Sequence, residues 1–438
     1  MPTSQQPSPG PLTPDRLPQV ISAALADTPL LDLHTHIYSA DFGELLLWGA
    51  EELVTYHYLI AEVCRAPGGP TPAEFFAMTR RQQADRIWQE LFVKASPISE
   101  ACRGVTTTLT ALGIDVNQGS LKPAREYFAD VTVDQHIRKV LELANVSQVV
   151  MTNDPFDPLE RPVWLGAGCT DDRFIPALRL DGLLIFWHKN WPTLRSWGYD
   201  ATGSLTPAAL AGTRRFLLDE IKRMNPAYMA VSLPDTFTYP STARGTGVSP
   251  VNAVTSDPTA QLITHAVLPV ARQTGVPFAM MIGVKRQLNP ALKLAGDGVG
   301  KADIRAVEHL CADNPDVKFL VTMLSLENQH ELCVAARKLP NLMPFGCWWF
   351  LNDPSLIEEI TRMRLELLGL SMIPQHSDAR ILDQLIYKWK HSKAILAKVL
   401  TDKYTDLTAA GWTLSEQQVR ADVKRLLSDN FAQFIKEG

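Results

Sequence analysis

Leu31-Asp32-Leu33-His34-Thr35-His36 closes an apolar run that begins at Pro29 and ends in two histidines one residue apart. In an extended strand, side chains alternate between faces, so His34 and His36 point the same way, about 7 Å apart by twice the strand rise. Two imidazoles at one strand end can share a divalent cation, while acceptors behind them fix their other ring nitrogens. The competing reading is a pair of hydrogen-bonded core histidines. Position favours ligands, because a barrel carries its functional groups at the C-terminal ends of its strands.

Seven further apolar runs follow: Val146–Thr152, Phe174–Leu178, Tyr228–Leu233, Pro277–Ile282, Lys318–Met323, Leu342–Cys347 and Leu370–Ile373. Amphipathic helical patterns lie between them, among them Ala208–Met224, Thr259–Gln273, Lys301–Ala312, Glu327–Lys338 and Ser355–Leu368. Short buried runs alternating with helices mark parallel strands. Eight runs predict an α/β fold, a (β/α)8 TIM-like barrel, with a doubly wound open sheet as the alternative. One interval breaks the rhythm. Residues of about 40–145 read as several helices, including Ala73–Lys94 and Ile98–Leu112, and predict a helical insertion after the first strand, over the barrel mouth. Helices at Leu382–Leu400 and Ser415–Lys436 end the chain.

Composition agrees with one large catalytic domain over 19–438. The 438 residues are 46% hydrophobic and 20% charged, enough for a sizeable core. A net charge of -5 offers no basic field for nucleic acid. No apolar run approaches the roughly 20 residues that span a bilayer. Residues 1–18, rich in Pro, Ser and Gln, predict a disordered leader rather than a signal peptide. Six scattered cysteines without a Cys-x-x-Cys pair fit a reduced, cytoplasmic protein.

A second candidate follows the eighth run: Gln375-His376-Ser377-Asp378-Ala379-Arg380. In a closed barrel the first and eighth strands are neighbours, so Asp378 would stand beside His34 and His36. A carboxylate there completes a three-ligand site with an open position for water or substrate. Otherwise Asp378 would simply cap the next helix. Arg380, two positions on, suits a carboxylate or enediolate oxygen.

The order His-x-His, then Asp after the last strand, resembles the amidohydrolase superfamily, and within it the uronate (glucuronate) isomerases over nearly the whole chain. His57-Tyr58 is similar to that family's His-Tyr pair. Thr152-Asn153-Asp154-Pro155 resembles its Thr-Asp-Asp-Pro loop, with one Asp replaced. Arg179-Leu180-Asp181 resembles its Arg-Pro-Asp element. Ile282-Gly283 through Arg286 resembles Ile-Gly-x-x-Arg, and Trp348-Trp349-Phe350 with Asn352-Asp353 resembles Trp-Trp-Phe-Asn-Asp. Asp378-Ala379-Arg380 stands for Asp-Ser-Arg. There are departures. Met281 replaces the His that usually precedes Ile-Gly, and Met is a poor ligand for a borderline cation. Asp235-Thr236 replaces Asp-His, and Lys388-Trp389-Lys390-His391 replaces an Arg-His-rich helix start.

The resemblance implies a metal-dependent aldose–ketose isomerase of a hexuronate or related sugar acid, working by proton transfer through an enediolate. It implies one divalent ion, zinc first, with manganese, iron or cobalt as other choices, on His34, His36 and Asp378. Catalytic roles then fall to Asp378, Arg380, Tyr58 and His57, and substrate binding to Arg179, Arg286, Trp348 and Trp349. His376 could serve as an accessory ligand in place of the missing strand-five His. The alternatives are a metal-dependent hydrolase or lactonase on a sugar-derived substrate, and a non-catalytic sugar-acid-binding barrel. The expected partner is a small-molecule sugar acid, with no nucleic acid and no membrane, in a possible homo-oligomer.

Overall fold

The structure, a computed structural model, describes residues 12–240 and 257–436. Its sheet contains β1 (Leu30–Thr35), β2 (Val146–Asn153), β3 (Phe174–Arg179), β4 (Met229–Pro234), β5 (Phe278–Lys285), β6 (Gly298–Val299), β7 (Phe319–Met323) and β8 (Leu342–Pro344). Seven of these run parallel, in the order β1-β2-β3-β4-β5-β7-β8. The short β6 is an antiparallel addition on the end of β5 that the apolar pattern does not announce. All five residues of β7 are buried, as are the first seven of β5. Such strands, apolar on both faces, need helices outside and packed side chains inside. Leu33, Val150, Ala177, Tyr228, Ala230, Ala279, Met281, Leu320 and Phe345 form one cluster within the ring.

The eighth position corrects the sequence reading. Leu370–Ile373 forms no strand, only a single parallel bridge between Phe345 and Ile373. Pro374 has no N–H to donate to a ladder, and Asp378 takes a left-handed φ of 49°. The ring closes nevertheless through individual bonds. Ile373 N donates to Pro344 O at 3.1 Å, Asp378 N to His34 O at 3.0 Å, and His36 N to Ala379 O at 2.7 Å. An irregular segment therefore joins β8 to β1.

Strict alternation along β1 fails as well. Its pairing with β2 is irregular between Asp32 and Thr35. Leu33 packs in the barrel interior, while Asp32 faces Trp389 on the helix Gln384–Ala409.

Between β1 and β2 lie helices from Ala50–Val54 through Val133–Ala144. Thr71 and Thr79 start two of them with reciprocal caps to Glu74 and Gln82, which satisfy backbone donors at the exposed helix starts. A strap following β5 reaches this helical layer, with Lys293 Nζ 4.1 Å from the centre of the Phe76 ring. Of the leader expected over 1–18, residues 1–11 lie outside the described residues. The remainder is ordered: Leu12 is buried and hydrogen-bonds through its backbone to Leu414, and a helix begins at Leu17. Among the described residues, no helix is long and apolar enough to cross a membrane.

Candidate active site

β1 and the closing segment bring His34, His36 and Asp378 together, with one possible ligand atom from each lying within 4.8 Å of the others. His34 Nε2 and His36 Nε2 stand 3.6 and 3.5 Å from the same oxygen, Asp378 Oδ1. The His34 side chain is fully enclosed, whereas that of His36 is 20% exposed, so the group opens on one side only.

Behind His34, Tyr228 decides the tautomer. Its hydroxyl donates to Leu33 O at 2.7 Å and lies 3.1 Å from His34 Nδ1. Having spent its one proton, the hydroxyl can only accept from Nδ1–H. The unprotonated Nε2 therefore faces Asp378, as a ligand nitrogen must. His34 Nε2 and Asp378 Oδ1 are buried without a hydrogen-bond partner. Each such orphan costs about 1–3 kcal/mol unless something satisfies it. An unpartnered imidazole nitrogen and carboxylate oxygen, with His36 Nε2 converging on the same oxygen, fit a divalent cation.

The electrostatics agree. Burial holds His34 well below the ordinary histidine value, aided by His376 and opposed by Asp378. Burial lowers His36 too, against the pull of the Asp378 carboxylate 3.5 Å away. Burial pushes the Asp378 carboxyl upward, but the adjoining His36 and His34 rings and the charge of Lys388 together hold it below its usual range. The site thus presents neutral imidazoles and an ionised carboxylate, the forms that bind metal.

The cavity above the group is lined by His36, Asp378 and most residues expected from sequence: His57, Arg179, Arg286, Trp348, Trp349 and Arg380. Asp181 holds Arg179 side-on, with Nε–Oδ2 at 3.1 Å and an Nη2–Oδ1 bond of 3.2 Å. Arg286 pairs with Asp297 at 2.6 Å and lies over Trp349. Arg380 has no carboxylate partner among the described residues. It alone of the three guanidinium groups brings an uncompensated charge to the wall.

Tyr58 is the exception. Its ring lies against Phe350 and it does not line the cavity; Tyr56 does. Tyr56 directly precedes the helix His57–Arg65, in extended backbone, so it projects differently from a residue one turn inside. Sequence reasoning passed over Tyr56 because the resemblance rested on the His-Tyr pair. Ser232, Leu294 and Asp297 also line the cavity, and no motif announces them. A second cavity of about 260 Å³ adjoins the first and shares Tyr56, His57, Leu294 and Arg380 with it.

His376 does not join the ligand group. It is fully buried, its ring 5.1 Å from that of His34, and both ring nitrogens lack partners. It fills the place where a side chain on Gly346 would go: a Cβ there would meet His376 Cδ2 at 1.9 Å, and Gly346 has a φ of +66°. Met281 sits in the apolar interior cluster.

Burial lowers His57 to about 3, with Arg380 adding to the effect, and His376 to about 4. Neutral burial of these rings contributes stability that is present above the unfolded value near 6.5 and is lost as pH falls toward 3–4. Glu160, raised by burial to about 7, works in the opposite sense as pH falls through 7. Per-residue titration is therefore the informative measurement. In imidazole nitrogen NMR spectra of metal-free protein, His57 and His376 should stay neutral from pH 8 down to 5. A midpoint near 6.5 for either ring would contradict the geometry.

No protein-family profile matches the chain, and no curated protein sequence matches it. Solved structures do. A uronate isomerase from Bacillus halodurans superimposes with a TM-score of 0.91 at 51% identity, covering 98% of each chain. A uronate isomerase from Thermotoga maritima gives 0.75 at 15% identity, over 96% of this chain and 97% of that one. A glucuronate isomerase from Caulobacter crescentus gives 0.73 at 14% identity, over 100% of this chain and 97% of that one. The last two speak for the fold alone. Half the residues shared along almost the entire length is another matter, and on that ground the chain belongs to the uronate isomerase family.

Proposed function

We propose that the protein is a metal-dependent aldose–ketose isomerase acting on a hexuronate or a closely related sugar acid. The observation that carries this reading is the composition of one cavity wall. A converging His-His-Asp group meets three guanidinium groups there, one without a carboxylate partner among the described residues. That wall suits a substrate with neighbouring oxygens at one end and a carboxylate at the other.

The reaction moves a proton from C2 to C1 and a second proton between the two oxygens, and so conserves mass. It needs a base near C2, a group that carries protons between oxygens, and a positive charge for the enediolate. His34, His36 and Asp378 would hold a divalent ion, zinc first, which would supply Lewis acidity when bound. Asp378, held ionised, is the base on the wall. The Tyr56 hydroxyl exchanges protons with the substrate oxygens, taking the role expected of Tyr58. His57 stays neutral, and its Nε2 accepts from Trp349 Nε1 at 3.3 Å, which leaves its other nitrogen to donate to a sugar oxygen. Arg380 stabilises the enediolate. Arg179, oriented by Asp181, keeps its remaining N–H groups for the distal carboxylate. Trp348 and Trp349 exclude water.

Incubating metal-loaded protein with glucuronate or galacturonate in deuterated water should give the ketose, carrying solvent deuterium on carbon and otherwise unchanged in mass. Release of an acid from an ester or lactone would point to hydrolysis instead. Absence of turnover of both sugars would end the isomerase reading.

A further inference from the structure

Asp32 has no part in the reaction described above, yet its environment is unusual. Its carboxylate is fully buried between the sheet and the helix Gln384–Ala409, has no ion-pair partner within 4 Å among the described residues, and feels the charge of the buried Lys388 on that helix. An isolated buried carboxylate is costly unless donors converge on it. They do. Ser377 N donates to Oδ1 at 3.0 Å, His34 N points at the same oxygen at 3.5 Å, and Trp389 Nε1 donates to Oδ2 at 2.8 Å.

Two of these donors belong to the backbone of the metal group: His34 is a ligand, and Ser377 immediately precedes Asp378. Asp378 lies in a segment with no strand ladder, at a φ of 49°, and a non-glycine residue stays there only when its surroundings hold it. Other bonds help. Ala379 N donates to Ser377 Oγ at 3.1 Å, and Asn352 Nδ2 to Ser377 O at 3.0 Å. Asp32 ties the two halves of the ligand set to each other through one side chain.

We propose that Asp32 is a positioning residue for the metal centre. Its carboxylate reinforces the two backbone bonds that stand in for a ladder between β1 and the closing segment, Asp378 N to His34 O and His36 N to Ala379 O, and so holds the register at which Asp378 meets His34 and His36. The donor set explains why a carboxylate is needed. An asparagine offers one oxygen and would turn its NH2 toward either Ser377 N–H or Trp389 Nε1–H.

This inference rests on the reading of His34, His36 and Asp378 as cation ligands. In the full-length protein, Asp32→Asn should raise the zinc dissociation constant about 10- to 100-fold while far-UV circular dichroism stays that of the parent. A purely structural role would lower the melting temperature and leave the zinc affinity of the folded protein unchanged. Trp389→Phe, which frees one carboxylate oxygen, should weaken zinc by a smaller factor, and it decides the matter should Asp32→Asn not fold. Amide hydrogen exchange in metal-free protein gives a second readout: Asp32→Asn should accelerate residues 375–379 at least tenfold relative to β5 and β7. Unchanged zinc affinity in the folded variants, or unchanged exchange over 375–379, overturns the proposal. Failure of the parent protein to bind zinc or manganese would sink the ligand reading, and the exchange comparison would still test the pin.

Discussion

Asp378→Asn should leave the barrel folded and strip it of its divalent cation. Asparagine is the informative substitution because the site has a left-handed backbone, φ 49°, which Asn tolerates far better than Ala or a β-branched residue. Shape is thus retained while the anionic oxygen facing His34 and His36 is replaced by a weaker neutral ligand. His34→Ala removes the enclosed nitrogen whose tautomer Tyr228 sets, and should have the same outcome. After dialysis, elemental analysis should find less than a tenth of the parent's metal in either variant. Isomerase activity should fall by about a thousandfold or more, beyond the two- to three-order losses typical of a single stabilising donor. Stoichiometric metal in both variants would refute the assignment of the centre.

Arg380→Met should cost about 10²–10³ in kcat, roughly 3–4 kcal/mol of barrier, with metal content unchanged. Arg179 and Arg286 already face Asp181 and Asp297, so Arg380 is the cation left to meet negative charge that develops during proton transfer. Its backbone is held independently, since Arg380 N donates to Gln384 Oε1 at 3.0 Å, and removing the guanidinium should not move Asp378. Methionine keeps most of the apolar stem. Lysine should rescue only in part, because a point charge cannot reproduce the planar fork. The effect should appear in kcat more than in KM, as expected of an interaction strongest in the transition state. Activity within threefold of the parent would move the oxyanion-stabilising role to another residue.

Much of this was legible in the chain. His34 and His36 ended the first buried run, Asp378 followed the last, and the alternation of apolar runs with helices specified parallel strands under helical cover. Those signals survive in sequence because strand burial and helix periodicity are local properties of consecutive residues. The arginines and tryptophans of the cavity wall were found through family-like motifs at strand ends, although spacing could not say which arginine was already paired. Asp181, at the start of the short helix after β3, and Asp297, just before β6, decide that, and periodicity does not show which arginine each one faces.

Tertiary structure alone determined the rest. It turned Tyr56 rather than Tyr58 onto the wall, because a residue entering a helix in extended backbone projects differently from one inside the first turn. It broke β1 between Asp32 and Thr35, placing Leu33 inside the ring and Asp32 outside it. It replaced the eighth strand by a segment held through single bonds to its neighbours. By itself, the sequence determined which residues could ligate a cation and roughly which strand ends carry them. Their convergence depended on ring closure, for which Pro374 and the left-handed Asp378 ruled out a regular ladder and left buried donors and acceptors far apart in the chain to supply the register.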